Sequence, residues 1–154
     1  MLRPATSQDA NDVATVLIES RCAFLAYAPL AHTEPDVRSW VESCLIPSGG
    51  VVVWEVDNQV VGFMSTSEEQ KGSWIDQLYV LPGWTGQGIG RQLLRHVHLV
   101  LPRPIRLYTF QQNMNARRLY ENNGYRAIRF TNGERNEERC PDVLYELSSH
   151  EPEA

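Results

Sequence analysis

Three cysteines, Cys22, Cys44 and Cys140, are too few, odd in number and too widely spaced for a disulfide framework, and they show no metal-ligand spacing. No apolar run approaches the length of a membrane-spanning helix, and no apolar secretory segment opens the chain. This predicts a cytoplasmic protein with no membrane partner. Basic residues are outnumbered, 14 Lys and Arg against 19 Asp and Glu, for a net charge of −5. That balance argues against nucleic acid, which favours a basic face. Internal repeats, low-complexity stretches and interdomain linkers are absent as well. What remains is a composition that is 42% hydrophobic and 21% charged, on 154 residues. Such a chain is long enough for one domain with a substantial core, read here as residues 1–148 with a frayed tail at 149–154.

The apolar spacing supplies an element order. Leu2 to Ala5 reads as a strand, and Thr6 followed by Asp9 signals a helix start. Ala10, Val13, Ala14 and Leu17 carry that helix to about residue 24. A loop over Ala26–His32 leads to a second helix from Thr33-Glu34-Pro35-Asp36, with Val37, Trp40, Val41 and Cys44 on one face. Val51–Val56 and Val60–Ser67 form a hairpin about Asp57-Asn58. Another strand covers Trp74–Val80, and a helix runs from about Gly88 to Leu101, stopped by Pro102 and Pro104. Strands at Ile105–Phe110, Tyr125–Phe130 and Val143–Leu147 complete the set, with a helix at Asn113–Asn122 closed by Gly124. The order β-α-α-β-β-β-α-β-α-β-β predicts an α/β protein, a mixed sheet of about seven strands with helices on both faces.

The junction at 80–91 carries the chemistry. An apolar strand runs into Leu81-Pro-Gly-Trp-Thr-Gly-Gln-Gly-Ile-Gly90 and then into an amphipathic helix. Glycines let backbone approach an anion closely, and the first N–H groups of a helix point at it. A dinucleotide fingerprint needs its third glycine where Arg91 stands. A P-loop needs lysine where Ile89 stands. The remaining reading is a pyrophosphate held by backbone N–H groups without a metal.

Leu78 to Leu94 resembles the acetyl-CoA motif of the GNAT superfamily of N-acetyltransferases: Gln or Arg, two residues, Gly, any residue, then Gly or Ala. Asn113-Met-Asn-Ala116-Arg-Arg-Leu-Tyr120-Glu-Asn-Asn-Gly124-Tyr125 resembles the later strand–helix motif of that superfamily. The element order agrees over nearly the whole chain. Thr85 departs from the pattern, standing where the family has Arg or Gln. The stretch Asn136 to Asp142 also resembles the C-terminal part of many bacterial members.

The resemblance implies a GNAT-like, mostly antiparallel sheet whose central parallel strands, Trp74–Val80 and Ile105–Phe110, splay apart around acetyl-CoA. Leu78, Tyr79 and Val80 would pair with the pantetheine arm, and an N–H there would meet the oxyanion. Thr85, Gly86, Gln87, Gly88, Ile89, Gly90 and Arg91 would hold the pyrophosphate, with Arg91 and Arg95 offering charge. Asn113 would bind the pantetheine amides, and Tyr120 would be the general acid beside the sulfur.

Asp76 is the first choice of general base, because alternation along a strand puts it on the face of Leu78. Glu68, Glu69, His32 and water are its rivals. Tyr27, His32, Trp74, Asp76 and the polar loop Gly133–Asp142 would form the acceptor pocket. The implied function is acetyl transfer to a primary amine of a small molecule or an exposed protein amine. A non-catalytic acyl-CoA binding domain of the same fold is the alternative. Dimers are common in the superfamily, so a homodimer is compatible with the resemblance.

Overall fold

The computed structural model describes residues 1–149, so the frayed tail expected over 149–154 lies almost wholly outside the described residues. One seven-stranded sheet organises the chain. Its strands are β1 (Leu2–Pro4), β2 (Val51–Val56), β3 (Gln59–Glu69), β4 (Gly72–Val80), β5 (Ile105–Phe110), β6 (Arg126–Phe130) and β7 (Asp142–Leu147). They lie in the order β1-β2-β3-β4-β5-β7-β6. Every neighbouring pair is antiparallel except β4–β5. Helices α1 (Ala10–Phe24), α2 (Glu34–Trp40), α3 (Ile89–Val100) and α4 (Met114–Asn122) complete the mixed α/β fold.

Local signals explain most boundaries. A capping box of Thr6 and Asp9 starts a single tight turn at Ser7–Asp9, which leads into α1. Arg3 grips the Asp9 carboxylate with both Nη atoms, at 2.8 and 2.9 Å, and so ties β1 to the start of α1. Val13, Ala14, Val16 and Leu17 are buried at helical spacing. Thr33 caps α2, with Pro35 in its first turn. The second helix continues past its expected face as a wider turn at Val41–Leu45 and a tight one at Ile46–Ser48, ending on Gly49 in the left-handed region. Asp57 and Asn58 both take positive φ, as a two-residue hairpin of primed type requires.

The helices take opposite faces. Arg21 of α1 reaches the hydroxyl of Tyr79 on one side of β4. Ile89 of α3 sits over Gly62, next to Val80, on the other. The α3 face of Ile89, Leu93, Leu94 and Val97 is buried there. α4 lies beside α3, where Leu119 comes within 3.1 Å of the place a Gly90 Cβ would occupy. The core between these layers includes Val53, Phe63, Met64, Ile105, Leu107 and Tyr145, all nearly inaccessible.

Two irregularities in β4 open the sheet and re-aim its side chains. Its ladder to β5 is made only of Ser73–Ile105 and Trp74–Arg106, after which the two strands diverge. Its ladder to β3 shifts register between Ser65–Gln77 and Thr66–Ile75, leaving Asp76 as the extra residue of a bulge.

Candidate active site

Antiparallel pairing alternates residues that exchange hydrogen bonds with residues that turn their N–H and C=O away. Leu81 donates its N–H to Val61 on β3, and β4 pairs with β3 in unbroken register from Gln77 to Val80. Tyr79 therefore bonds toward β3, while Leu78 and Val80 turn their N–H and C=O groups toward the gap beside β5. Ser20 of α1 donates its hydroxyl to the Val80 carbonyl at 2.9 Å, which pins the helix to the edge of the gap.

The chain then turns through Gly83, Gly86 and Gly88, all with φ between 77° and 90°. A Cβ at any of these three would meet nothing within 4 Å, so the demand is conformational and the surrounding space is open. Gly88 caps α3 without a side-chain bond. The helical ladder begins with Gln92 N–H to Gly88 C=O at 3.0 Å. The N–H groups of Ile89, Gly90 and Arg91 precede it and are left for a ligand.

A cleft of about 580 Å³ joins these features. Leu78, Tyr79 and Val80 form one wall, and Thr85, Gly86 and Gly88 through Arg91 form the end. Asn113, Asn115, Ala116, Arg118, Leu119 and Tyr120 close it from α4. Gln87 instead folds back onto the Gly83 carbonyl at 3.3 Å. Arg91 is in the cleft and Arg95 is outside its lining; the second cation there is Arg118, which sequence reasoning misses. Asn113 caps α4 with its side-chain oxygen, accepting from Ala116 N–H at 3.2 Å, so its amide nitrogen is the group left for a ligand.

Tyr120 is buried, with its ring 5.8 Å from that of Tyr125 and 6.0 Å from that of Tyr145. No hydrogen bond ties its hydroxyl to another described residue. Desolvation, with the nearby Tyr79 adding to it, pushes its pKa well above the usual phenol range, so the group stays protonated.

A second hollow of about 430 Å³ shares Tyr79 with the cleft and lies on the α1–α2 face of β4. Leu17, Leu30, Val37 and Trp40 supply apolar surface, while Asp36, Glu137 and Glu138 supply carboxylates. Arg21, only 6% exposed, holds it together. Its guanidinium donates to Ala28 C=O at 2.8 Å, to Glu138 at 3.3 Å and to the Tyr79 hydroxyl at 3.4 Å. It also lies 5.5 Å from the Phe110 ring centroid at the tip of β5. His32 meets Glu137 at 3.2 Å, which joins the Ala26–His32 loop to the polar loop after β6.

Other expected acceptor residues sit elsewhere. Tyr27 packs edge-on against Phe110 and Trp74 stacks on Tyr108. Neither lines this hollow. Asp76 does not share the face of Leu78 either. The bulge brings it to the side of Gln77, and both line a third hollow of about 630 Å³ with Glu68. The Asp76 carboxyl pKa is raised by burial and by the charge of Glu69, with the Ser67 side chain opposing the rise. The structure thus separates Asp76, Glu68 and Glu69 from the cleft of Tyr120. Arg21 is absent from the expected site, because one arginine on an amphipathic helix carries no sequence signal of its own.

A sheet that opens beside a helix start with uncommitted N–H groups is the geometry of a protein suited to an extended, phosphorylated ligand. Comparison with known proteins gives this class its name. Residues 17–125 match the model of the acetyltransferase (GNAT) family, and the chain belongs to that family. It is 31% identical over 131 residues to an uncharacterised N-acetyltransferase of Archaeoglobus fulgidus, covering 77% of this chain and 88% of the other. It is 30% identical over 76 residues to the peptidyl-lysine N-acetyltransferase YiaC of Escherichia coli, 49% of each chain. The fold matches PaiA N-acetyltransferase of Thermoplasma acidophilum in complex with coenzyme A, with a TM-score of 0.75 and 19% identity over 96% of this chain and 98% of that one.

The protein is accordingly a GNAT-type N-acetyltransferase, and the family's acetyl donor is acetyl-CoA. The cleft suits that donor on its own terms. It has uncommitted helix N–H groups and two arginines at one end, open space beside its glycines, and the N–H groups of Leu78 and Val80 turned toward the gap beside β5.

Proposed function

We propose that the protein moves an acetyl group to a primary amine, of a small molecule or an exposed protein lysine, by direct attack within the gap between β4 and β5. Acetyl-CoA supplies the acetyl group as a thioester. The observation that carries the reading is Tyr120, a buried phenol with an unengaged hydroxyl in the same cleft as the free N–H groups of α3.

The acceptor reaches the second hollow as an ammonium, because an alkyl amine has a pKa of ~10 in water. Asp36, Glu137 and Glu138 favour that cation there. The proton leaves to water or to a carboxylate before the nitrogen attacks. A new N–C bond forms, the nitrogen gives up its second proton to solvent, and the C–S bond breaks. The N–H groups of Leu78 and Val80 are the donors available to the carbonyl oxygen as it gains charge. Tyr120 gives its hydroxyl proton to the departing sulfur and regains one from solvent. The acceptor side of the reading draws support from the YiaC relative, a peptidyl-lysine N-acetyltransferase.

The test is Tyr120→Phe, which keeps the ring packing and removes only the proton. Turnover, read as acetyl-CoA-dependent thiol release with an amine panel, is expected to fall by about 10²–10³. Acetyl-CoA affinity by calorimetry is expected to hold. An unchanged turnover removes Tyr120 as the acid.

A further inference from the structure

The third hollow adjoins the acceptor hollow, with Trp40 and Gln77 lining both. None of the described residues lining it is basic, while Glu68 and Asp76 are acidic. Burial raises the Asp76 pKa, Ser67 opposes the rise and the neighbouring Glu69 charge adds to it. The floor carries a second sign of a missing ligand. Ser65 is 2% exposed and its hydroxyl has no hydrogen-bond partner among the described residues. Such an oxygen can accept from an ammonium and is costly to leave unmade. Between the two ends stands Trp40, 41% exposed, whose indole suits an alkyl chain or a cation.

Tyr79 marks the reacting end and Asp76 the far end. They are three residues apart on β4, roughly 10 Å at ~3.3 Å per residue. The bulge is what makes the line possible, since strict alternation would have put Asp76 on the opposite face.

We propose that the third hollow is a distal acceptor subsite, and that the preferred acceptor is a linear amine with a second ammonium, seated at Asp76, Glu68 and the Ser65 hydroxyl while the first amine stands at Tyr79. Asp76 is then a specificity residue. This rests on the amine-transfer reading and adds to it the chemical class of the acceptor.

The experiment compares diaminooctane with aminooctanol, in which a hydroxyl replaces the second ammonium. The full-length protein is expected to show kcat/KM about tenfold higher for the diamine. Asp76→Asn is expected to narrow that ratio about five- to tenfold through KM of the diamine. Ser65→Ala, which removes a buried hydroxyl that bonds nothing in the free protein, is expected to narrow it in the same direction. Equal kcat/KM for the two amines overturns the proposal, as does an Asp76→Asn variant whose kcat falls alike on both, which puts Asp76 at amine deprotonation.

Calorimetry of diaminooctane without acetyl-CoA separates this proposal from the transfer reading. Asp76-dependent binding supports the subsite even if no amine is acetylated. Acetylation of both amines with no preference and no Asp76-dependent binding leaves transfer standing and removes the subsite.

Discussion

Among single residues, Tyr120 and Gly88 carry opposite burdens. The role proposed for Tyr120 depends on its burial. A phenolate among the rings of Tyr125 and Tyr145 would be desolvated, so the neutral acid persists above the pH at which a free tyrosine ionises. The sign is direct: a raised pKa keeps the proton on as pH rises. Turnover should therefore climb as the acceptor amine loses its proton and show no downturn from Tyr120 below about pH 10. A pH–rate profile with Tyr120→Phe as the control checks this; a downturn near pH 8 that disappears in the variant contradicts it. Gly88 gains its role from having no side chain. Its φ of 83° costs an alanine about 1–2 kcal/mol, yet a Cβ there touches no protein atom within 4 Å. Gly88→Ala should lower stability by that amount and weaken acetyl-CoA binding as well, because the methyl group points into space kept for the ligand. Denaturation and calorimetry on one sample separate the two effects.

At the level of elements, what is legible in the sequence divides by range. Strand β5, the Asp57-Asn58 hairpin, the glycine turn and the close of α4 at Gly124 all announce themselves through neighbours in the chain, and the structure has them within a residue or two. The bulge at Asp76 is different. Nothing near Asp76 marks it, because the extra residue exists only relative to Ser65 and Thr66 across the ladder. Alternation therefore assigns Asp76 to the wrong face, whereas the bulge puts it beside Gln77. Arg21 is hidden for the same reason, since its partners Tyr79 and Glu138 are 58 and 117 residues away.

The polar loop after β6 is readable as acidic but its rigidity is not. Asn136 braces it, donating to Cys140 C=O at 2.6 Å and accepting from Cys140 N–H at 3.1 Å. Asn136→Ala should loosen the segment bearing Glu137 and Glu138. The expected result is a higher KM for the amine and an unchanged acetyl-CoA affinity, measured by steady-state kinetics and calorimetry. The junction of β1 and α1 makes a separate demand. Bidentate bonds from Arg3 hold the Asp9 carboxyl down at about 2, against an ordinary value of 3.8. The pair then contributes on the order of 1–2 kcal/mol above pH 4, lost as pH falls from about 4 toward 2. Urea unfolding across that window should show the loss, and Asp9→Asn should reduce it.

For the molecule as a whole, one sheet does two jobs. Its antiparallel flanks build the core, and its single parallel pair comes apart after two rungs, so that the interior of the sheet becomes the site. Such an opening leaves backbone groups of β4 without a strand, and α3 starts where they end. The central claim is that these main-chain N–H groups grip the acetyl donor. Titrating isotope-labelled protein with acetyl-CoA while following backbone amide resonances tests it most directly. The expected result is that the largest shifts fall on Leu78, Val80, Ile89, Gly90 and Arg91. Saturable binding that leaves those five amides unmoved would contradict it.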